Sequence, residues 1–195
     1  MQRNNEDFIH SWTMPEEICD NIVNFYNTHP DEWVKGAYTN SENIMGDSKD
    51  IKDSNDLIIS PRNNDKPFYD YKVALQKCLD EYIQMFPMIN NLCSFGICEA
   101  YNIQHYPKGG GFKVEHFERD GSLTGTLKRC LVFLTYLNDV ENGGTIFKYQ
   151  NRTIKAQKGK TILFPPDWTH THVGQISQTQ EKMIVTGWYS FMWDF

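Results

Sequence analysis

The sequence predicts a mainly β protein of the α+β class, in which amino-terminal helices support a double-stranded β-helix core of the jelly-roll or cupin-like type. About eight short β-rich runs, separated by turn signals, follow Ser94 and are typical of such a double sheet. Two apolar stripes at helical spacing precede them in residues 1–93. At 195 residues the chain is most simply a single domain, long enough to bury a core without disulfides.

The first helix is predicted to begin after Thr13 and to end before Pro30. Thr13 offers a hydroxyl cap, Pro15 suits a first turn, and two glutamates follow near the positive end of the helix dipole. The apolar residues at helical spacing are Ile18, Ile22, Phe25 and Tyr26. Residues 7–12, which precede this helix, are expected to lie against the body of the domain.

The stretch between the helices, residues 35–66, is rich in polar residues and contains only Leu57-Ile58-Ile59 as a short predicted strand. A polar segment of this length inside a compact domain is usually disordered or a functional lid. The sequence leaves both alternatives open.

The second helix is predicted to open at Asp65-Lys66-Pro67 and to end at Pro87. Its apolar stripe consists of Phe68, Tyr71, Leu75, Leu79, Tyr82, Ile83 and Phe86. Such a stripe indicates core packing, and we expect it to support the outer face of a sheet.

The carboxyl-terminal half, residues 94–195, has the pattern of a β core. Strands are predicted near residues 95–106, 112–118, 129–137, 145–149, 152–155, 160–164, 170–174 and 182–191. The clearest turns are predicted at residues 142–144, 158–159 and 165–167.

Composition excludes several classes of partner and location. A formal net charge of -6 gives no general attraction to nucleic acid or to anionic membranes. The five cysteines are scattered and contain no Cys-x-x-Cys pair, which is typical of reduced thiols in a cytosolic protein. The amino terminus is polar, and no stretch approaches the roughly 20 apolar residues of a membrane span. We therefore predict a soluble, cytoplasmic protein with no nucleic acid or membrane partner.

The strongest chemical signal lies at His116 and Glu118, which follow a glycine-rich stretch that starts at Tyr106. In a β-strand, residues i and i+2 project from the same face, so one strand would offer an imidazole and a carboxylate to one point. His170 and His172 are candidates for a third ligand. Two histidines and one carboxylate form the facial triad of non-haem Fe(II) oxygenases.

The carboxyl-terminal strand adds an independent signal. Alternation places Lys182, Ile184, Thr186 and Trp188 on one face, so a cation and a hydroxyl lie in an otherwise apolar row. A lysine that points into a barrel requires an anion there, because an unpaired buried charge is costly.

With these motifs and spacings, the chain resembles the Fe(II)- and 2-oxoglutarate-dependent oxygenases, and within them the prolyl 4-hydroxylase-like branch. The resemblance covers about Glu99 to Trp188. The matching motifs are Tyr106-Pro107 through His116-x-Glu118, Arg129 before Tyr136-Leu137-Asn138, Asn142-Gly143-Gly144 through Phe147, His172-x-Gly174, Glu181-Lys182 and Thr186-x-Trp188.

The resemblance implies a metal site of His116, Glu118 and His172. Its spacing favours His172 over His170, because His172 lies at the family's interval from Lys182. His170 is expected either to line the cavity or to be a hydrogen-bonded structural histidine. The family's usual carboxylate ligand is Asp, so Glu118 departs from the pattern by one methylene.

The resemblance also implies that 2-oxoglutarate chelates the iron while Lys182 pairs with its far carboxylate. Tyr106 and Thr186 would hydrogen-bond the cosubstrate, with help from Tyr136. The implied reaction uses O2 and Fe(II), with ascorbate as reductant, and yields succinate, carbon dioxide and a hydroxylated product. No separate catalytic base is expected, because the metal carries the chemistry.

Arg129 and Trp188 are predicted to approach the prime substrate, with a surface ion pair and simple core packing as the respective alternatives. The loops at residues 35–66 and 119–128 are candidates to close over a peptide. The leading hypothesis is hydroxylation of prolyl residues in a peptide or protein. The alternatives are the same chemistry on another side chain or a small molecule, and a non-catalytic cupin-like binding module.

Overall fold

The computed structural model describes residues 7–39, 45–91, 93–121 and 125–192. Residues 40–44, in the middle of the predicted lid, and residues 122–124, in the second predicted loop, lie outside the described residues. None of the helices in these ranges is long and apolar enough to cross a membrane.

Two α-helices lie where the apolar stripes predict them. Helix α1 is Glu16–Thr28 and helix α2 is Lys66–Met85. Two glutamates occupy the first turn of α1, and a proline occupies the first turn of α2, as the sequence predicts. Thr13 does not cap α1, because it ends the preceding strand and the cap position is Pro15. Short 3-10 helices occur at Pro30–Glu32, Pro87–Asn91, Thr126–Lys128 and Trp168–His170.

Fifteen strands complete the described fold. In chain order they are β1 (His10–Thr13), β2 (Val34–Lys35), β3 (Tyr38–Thr39), β4 (Met45–Gly46), β5 (Lys52–Asp53), β6 (Asn55–Ile59), β7 (Phe95–Gly96), β8 (Tyr101–Tyr106), β9 (Gly111–Phe112), β10 (Arg129–Tyr136), β11 (Val140–Phe147), β12 (Arg152–Ala156), β13 (Lys160–Phe164), β14 (His172–Gly174) and β15 (Lys182–Phe191).

The strands form a large and a small antiparallel sheet. The large sheet has the order β1-β13-β10-β15-β8-β6-β2, with β7 paired to β15. The small sheet has the order β12-β11-β14, and two further pairs are β3-β4 and β5-β9. This arrangement confirms the predicted double-stranded β-helix class with supporting helices.

The alternation of side chains on β10 divides the core in two. Leu131 and Phe133 lie in the cluster that contains the helix residues Tyr71 and Leu75. Val132 and Leu134 lie in the second cluster, which contains residues from both sheets. Because the side-chain period of a strand is two, one face of the large sheet supports the helices and the other faces the small sheet.

Residues 35–66 are more ordered than the sequence predicts. They contribute β6 to the large sheet, where Asp56 lies opposite Gln104 of β8. They also contribute β5, which pairs with β9 beside the glycine-rich stretch. The prediction of a polar loop with a single short strand is therefore wrong for much of this stretch, because its strands are stabilised by partners that lie far away in the sequence.

The predicted turn at residues 142–144 is an irregularity inside β11 rather than a turn. The pairing of β11 with β12 shifts register between Val140 and Thr145, and Asn142 has a φ of 54°. A side chain at Gly144 would place its Cβ 2.1 Å from the carbonyl oxygen of Ile154. The glycine is therefore required by close approach of the neighbouring strand.

Candidate active site

A cavity of about 260 Å³ lies between the two sheets. The inner face of β15 contributes Lys182, Ile184, Thr186 and Trp188 to its wall, as the predicted alternation requires. His116, Glu118 and His172 line the same cavity. The strongest sequence signals thus converge on one internal space.

The backbone brings the two histidines side by side. His116 and His172 form an isolated antiparallel bridge, in which each backbone N–H donates to the other residue's carbonyl oxygen at 3.0 and 2.9 Å. The predicted strand at residues 112–118 is wrong, because the regular strand β9 ends at Phe112. The backbone N–H of Glu118 donates to the carbonyl oxygen of Pro166 at 2.9 Å. Contacts with the segment around β14, rather than strand alternation, therefore position both side chains.

His116, Glu118 and His172 each offer a ligand atom, and these atoms lie within 4.8 Å of one another. Glu118 Oε1 is 3.6 Å from His116 Nε2 and 3.5 Å from His172 Nε2. His116 Nδ1 donates to the carbonyl oxygen of Val114, and His172 Nδ1 donates to that of His170, both at 2.9 Å. Because a carbonyl oxygen only accepts, each Nδ1 carries the proton and each Nε2 presents its lone pair to the shared point.

Burial lowers the pKa of His172, and the charge of His116 lowers it further. Burial alone would raise the pKa of Glu118, but hydrogen bonds and positive charge from the two histidines, when these are protonated at Nε2 as well, outweigh it and hold that pKa well below its usual range. A neutral imidazole and an ionised carboxylate are the forms that bind a divalent metal ion. The donor set therefore fits an Fe(II) site with open positions.

Lys182 is a buried cation in the same wall, with 7% of its surface exposed. Its Nζ donates to the carbonyl oxygen of Gln175 at 3.0 Å and lies 5.1 Å from the centre of the Tyr106 ring. None of the ion pairs found among the described residues involves Lys182. Burial lowers the pKa of Lys182 to about 8. Burial of the charged ammonium group is unfavourable, and an anionic group in the cavity would compensate for it, so the site fits a dicarboxylate ligand.

Three hydroxyl groups predicted to contact a cosubstrate also lie at the cavity. Tyr106 donates to Gln104 Oε1 at 2.6 Å, and Thr186 donates to the carbonyl oxygen of Phe133 at 3.2 Å. The hydroxyl of Tyr136 shares a hydrogen bond of 2.7 Å with Thr145 Oγ1. Burial raises the pKa of both tyrosines well above the ordinary value, so the phenols stay neutral donors.

Arg129 and Trp188 lie at the cavity wall next to Glu118. The guanidinium of Arg129 lies 3.5 Å from the centre of the Trp188 ring and forms an ion pair with Glu99 at 2.7 Å. Trp188 Nε1 donates to Glu118 Oε2 at 3.0 Å. Arg129 thus forms an ion pair and Trp188 packs against the core, as the alternatives from the sequence have it, and both side chains also face the carboxylate of Glu118.

His170 lies apart from this group. It ends the 3-10 helix Trp168–His170, and its buried ring contacts the carbonyl oxygen of Asp7 through Nε2 at 2.9 Å. The predicted strand at residues 170–174 therefore begins only at His172. Of the two alternatives for His170, the structure supports the hydrogen-bonded structural histidine.

A network of buried polar side chains borders the cavity and was not predicted from the sequence. Lys52 forms an ion pair of 2.6 Å with Oδ2 of Asp56, and Gln104 Nε2 donates to the same oxygen at 3.5 Å. Lys52 and Gln104 both line the cavity. The position of Gln104 two residues before Tyr106 was a usable signal, whereas nothing in the sequence places Lys52 or Asp56 beside it.

Comparison with known proteins supplies independent findings. The family model of the 2OG-Fe(II) oxygenase superfamily matches residues 101–190. No curated protein matches the sequence.

Several solved structures share the fold of this chain. A viral collagen prolyl hydroxylase from Paramecium Bursaria Chlorella virus-1, in its 2OG complex, matches with a TM-score of 0.71 at 15% identity, over 96% of this chain and 98% of that one. A Pseudomonas putida prolyl-4-hydroxylase matches with a TM-score of 0.67 at 15% identity, over 96% and 95%. A Trichoplax adhaerens prolyl hydroxylase, in complex with a hypoxia inducible factor peptide fragment, matches with a TM-score of 0.66 at 17% identity, over 96% and 85%.

Proposed function

We propose that the chain hydroxylates prolyl residues in a peptide or protein. Its residues 101–190 match the family model of the 2OG-Fe(II) oxygenase superfamily, which supports a 2-oxoglutarate-dependent dioxygenase. The family implies Fe(II), 2-oxoglutarate and O2 as cofactor and cosubstrates. This agrees with the resemblance predicted from the sequence motifs. The buried core joins helix residues to sheet residues, which supports treating the chain as a single domain.

The observation that carries the proposal is the cavity shared by a two-histidine, one-carboxylate group and a buried lysine that has no ion pair among the described residues. His116, Glu118 and His172 would hold Fe(II) through two Nε2 atoms and a carboxylate oxygen. Bound there, Fe(II) and 2-oxoglutarate would use O2 as the oxidant, so that one oxygen atom enters the C–H bond of the substrate and the other enters the succinate that forms with carbon dioxide. The rest of the site binds and orients.

Lys182 would pair with the far carboxylate of 2-oxoglutarate as a point charge with rotatable donors. Tyr106, Tyr136 and Thr186 would supply neutral hydroxyls along the cosubstrate, each by exchanging or sharing its present hydrogen bond. The apolar neighbours, such as Ile184, exclude water from this end of the cavity.

The prime substrate would enter past Arg129 and Trp188, which form the wall beside Glu118. Support for a prolyl substrate comes from the shared fold with prolyl hydroxylases of three sources. Support for a peptide comes from the Trichoplax adhaerens protein, whose structure was solved with a peptide fragment.

The test is succinate formation from 2-oxoglutarate by the purified protein with Fe(II) and ascorbate, with and without a proline-rich peptide. His172→Ala and Lys182→Ala serve as variants. We expect the peptide to stimulate turnover in the wild type, both variants to lose turnover, and the peptide to gain the mass of one oxygen.

Other outcomes separate the parts of the proposal. Turnover that depends on His172 and Lys182 but ignores the peptide would retain the oxygenase and reject the prolyl substrate; free amino acids would then be screened. No turnover together with no iron binding would reject the metal site and favour a binding module.

A further inference from the structure

The geometry points to Trp188 and Arg129 as positioning residues for the carboxylate of Glu118. They hold its outer oxygen, Oε2, so that its inner oxygen, Oε1, faces the two histidines. This inference rests on the proposed metal site and adds a role that the family resemblance did not assign to these residues. It also explains how a glutamate serves where the resemblance predicts an aspartate.

The two oxygens of Glu118 have different partners. Oε2 accepts a hydrogen bond from Trp188 Nε1 at 3.0 Å and lies 3.6 Å from Arg129 Nη1. Oε1 lies 3.6 and 3.5 Å from the Nε2 atoms of His116 and His172. Arg129 Nη1 also donates to the backbone carbonyl oxygen of Glu118 at 2.8 Å. Both the side chain and the backbone of this residue are thus held from the same side.

The residues that hold Glu118 are themselves fixed. Arg129 donates to Glu99 through Nε at 3.0 Å and through Nη2 at 2.7 Å, which is a bidentate pair. The Glu99 carboxylate also accepts from Ser190 Oγ at 3.1 Å. The guanidinium lies 3.5 Å from the centre of the Trp188 ring, so it restricts the ring that donates to Glu118. A continuous series of contacts therefore connects Ser190 and Trp188 of β15 with the carboxylate of Glu118.

A longer ligand side chain needs such support. Glutamate has one more rotatable bond than aspartate, and the freedom of that bond must be lost when the carboxylate binds a metal ion. Groups that orient a ligand from outside typically account for about 10- to 100-fold in metal affinity. Aspartate at position 118 would place its carboxylate short of Trp188 Nε1 by roughly one carbon–carbon bond, about 1.5 Å. The site is therefore fitted to glutamate.

The first test measures Co(II) affinity of the full chain by visible d–d absorption, which reports metal binding without turnover. Trp188→Phe keeps an aromatic ring at this position and removes the N–H donor together with the pyrrole part of the indole, a loss of volume that the control variant below shares. We expect about 10- to 100-fold weaker Co(II) binding and a changed d–d spectrum. Trp12→Phe is the matched control, since Trp12 Nε1 also donates to a carboxylate, that of Glu81 at 2.7 Å, but borders a different surface depression. It should bind Co(II) as the wild type does.

The second test is a double-mutant cycle with Glu118→Asp. We expect Glu118→Asp to weaken Co(II) binding, and Trp188→Phe to cost less in that background than in the wild type, because the hydrogen bond is already lost. Tighter Co(II) binding by Glu118→Asp, or full additivity of the two changes, would overturn the inference.

The outcomes distinguish this inference from the proposed function. Failure of the wild type to bind Co(II) would overturn both. Normal Co(II) affinity and spectrum in Trp188→Phe, with loss of peptide-stimulated turnover, would overturn the inference alone and assign Trp188 to the substrate. If circular dichroism shows that Trp188→Phe does not fold, Glu99→Gln serves as the second variant. It removes the bidentate partner of Arg129 and so loosens the contacts that hold Glu118. Unchanged Co(II) affinity of Glu99→Gln would also overturn the inference.

Discussion

Glu118 and Lys182 line the same cavity, but their charges are compensated to very different degrees. Glu118 lies between two histidines, accepts a hydrogen bond from Trp188 and faces Arg129. The Nζ of Lys182 has one hydrogen bond, to a backbone carbonyl, and no ion pair among those of the described residues. The protein therefore fixes the carboxylate before any ligand binds, whereas it leaves the lysine to be satisfied by an anion.

The largest effect is expected from Glu118→Gln, which keeps the shape of the side chain and removes its charge. We expect Co(II) or Fe(II) affinity to fall by more than about 100-fold, beyond the range of changes outside the ligand set. Isothermal titration calorimetry measures it. Glu115→Gln is the matched control, because Glu115 is exposed and paired with Lys148. Equal loss in both variants would show that the metal is bound elsewhere.

Lys182→Met should separate stability from binding. Because an unpaired buried cation is removed, the free energy of unfolding of the ligand-free protein should rise by about 1–3 kcal/mol. The affinity of the metal-loaded protein for 2-oxoglutarate should fall by about 10- to 100-fold, the value of a charge-assisted hydrogen bond. Thermal melts test the change in stability, and calorimetric titration tests the change in 2-oxoglutarate affinity. A variant that is less stable and binds 2-oxoglutarate normally would contradict the comparison.

The pH dependence follows from the pKa of Lys182, which burial lowers to about 8 from the ordinary 10.5. Between these values the unfolded chain binds more protons at this residue than the folded chain, so its contribution makes stability rise with pH. Binding of 2-oxoglutarate requires the protonated lysine, so affinity should fall by about tenfold per pH unit above pH 8. Lys182→Met should lose both slopes. If either slope persisted in this variant, that pH dependence would belong to another titratable group.

The smallest effect is expected from Tyr106→Phe. Loss of one neutral hydroxyl should weaken 2-oxoglutarate binding by about fivefold, the equivalent of about 1 kcal/mol. Tyr82→Phe is the control, since its hydroxyl donates to the carbonyl oxygen of Phe8 at 3.0 Å, away from the cavity. If Tyr106→Phe matched Lys182→Met in its effect, the hydroxyl and not the cation would dominate recognition of the cosubstrate.

Lys182 and Glu118 also differ in how much of their surroundings could be predicted from the sequence. The alternate row that contains Lys182 and Thr186 follows from strand period alone, and the structure places that row in the cavity. The partners of Glu118 could not be predicted in this way. Trp188 is 70 residues away in the sequence, and Glu99 reaches the carboxylate only through Arg129.

The error at residues 112–118 has a related cause. Strand alternation predicted correctly that His116 and Glu118 approach one another, but the regular strand ends at Phe112. The two side chains meet because His116 pairs with His172 and Glu118 bonds to Pro166. A correct proximity was therefore predicted from an incorrect local conformation.

The sequence by itself determined the class of the fold, the two helices, the inner row of β15 and the family whose model residues 101–190 match. These features depend on periodicity and motif spacing, which are local properties of the chain. Only the tertiary structure decided that residues 52–59 join the sheets, that His170 is structural, and that Trp188 and Arg129 face Glu118. Each of these depends on contacts between distant segments, whose free energy is realised only when the sheets assemble.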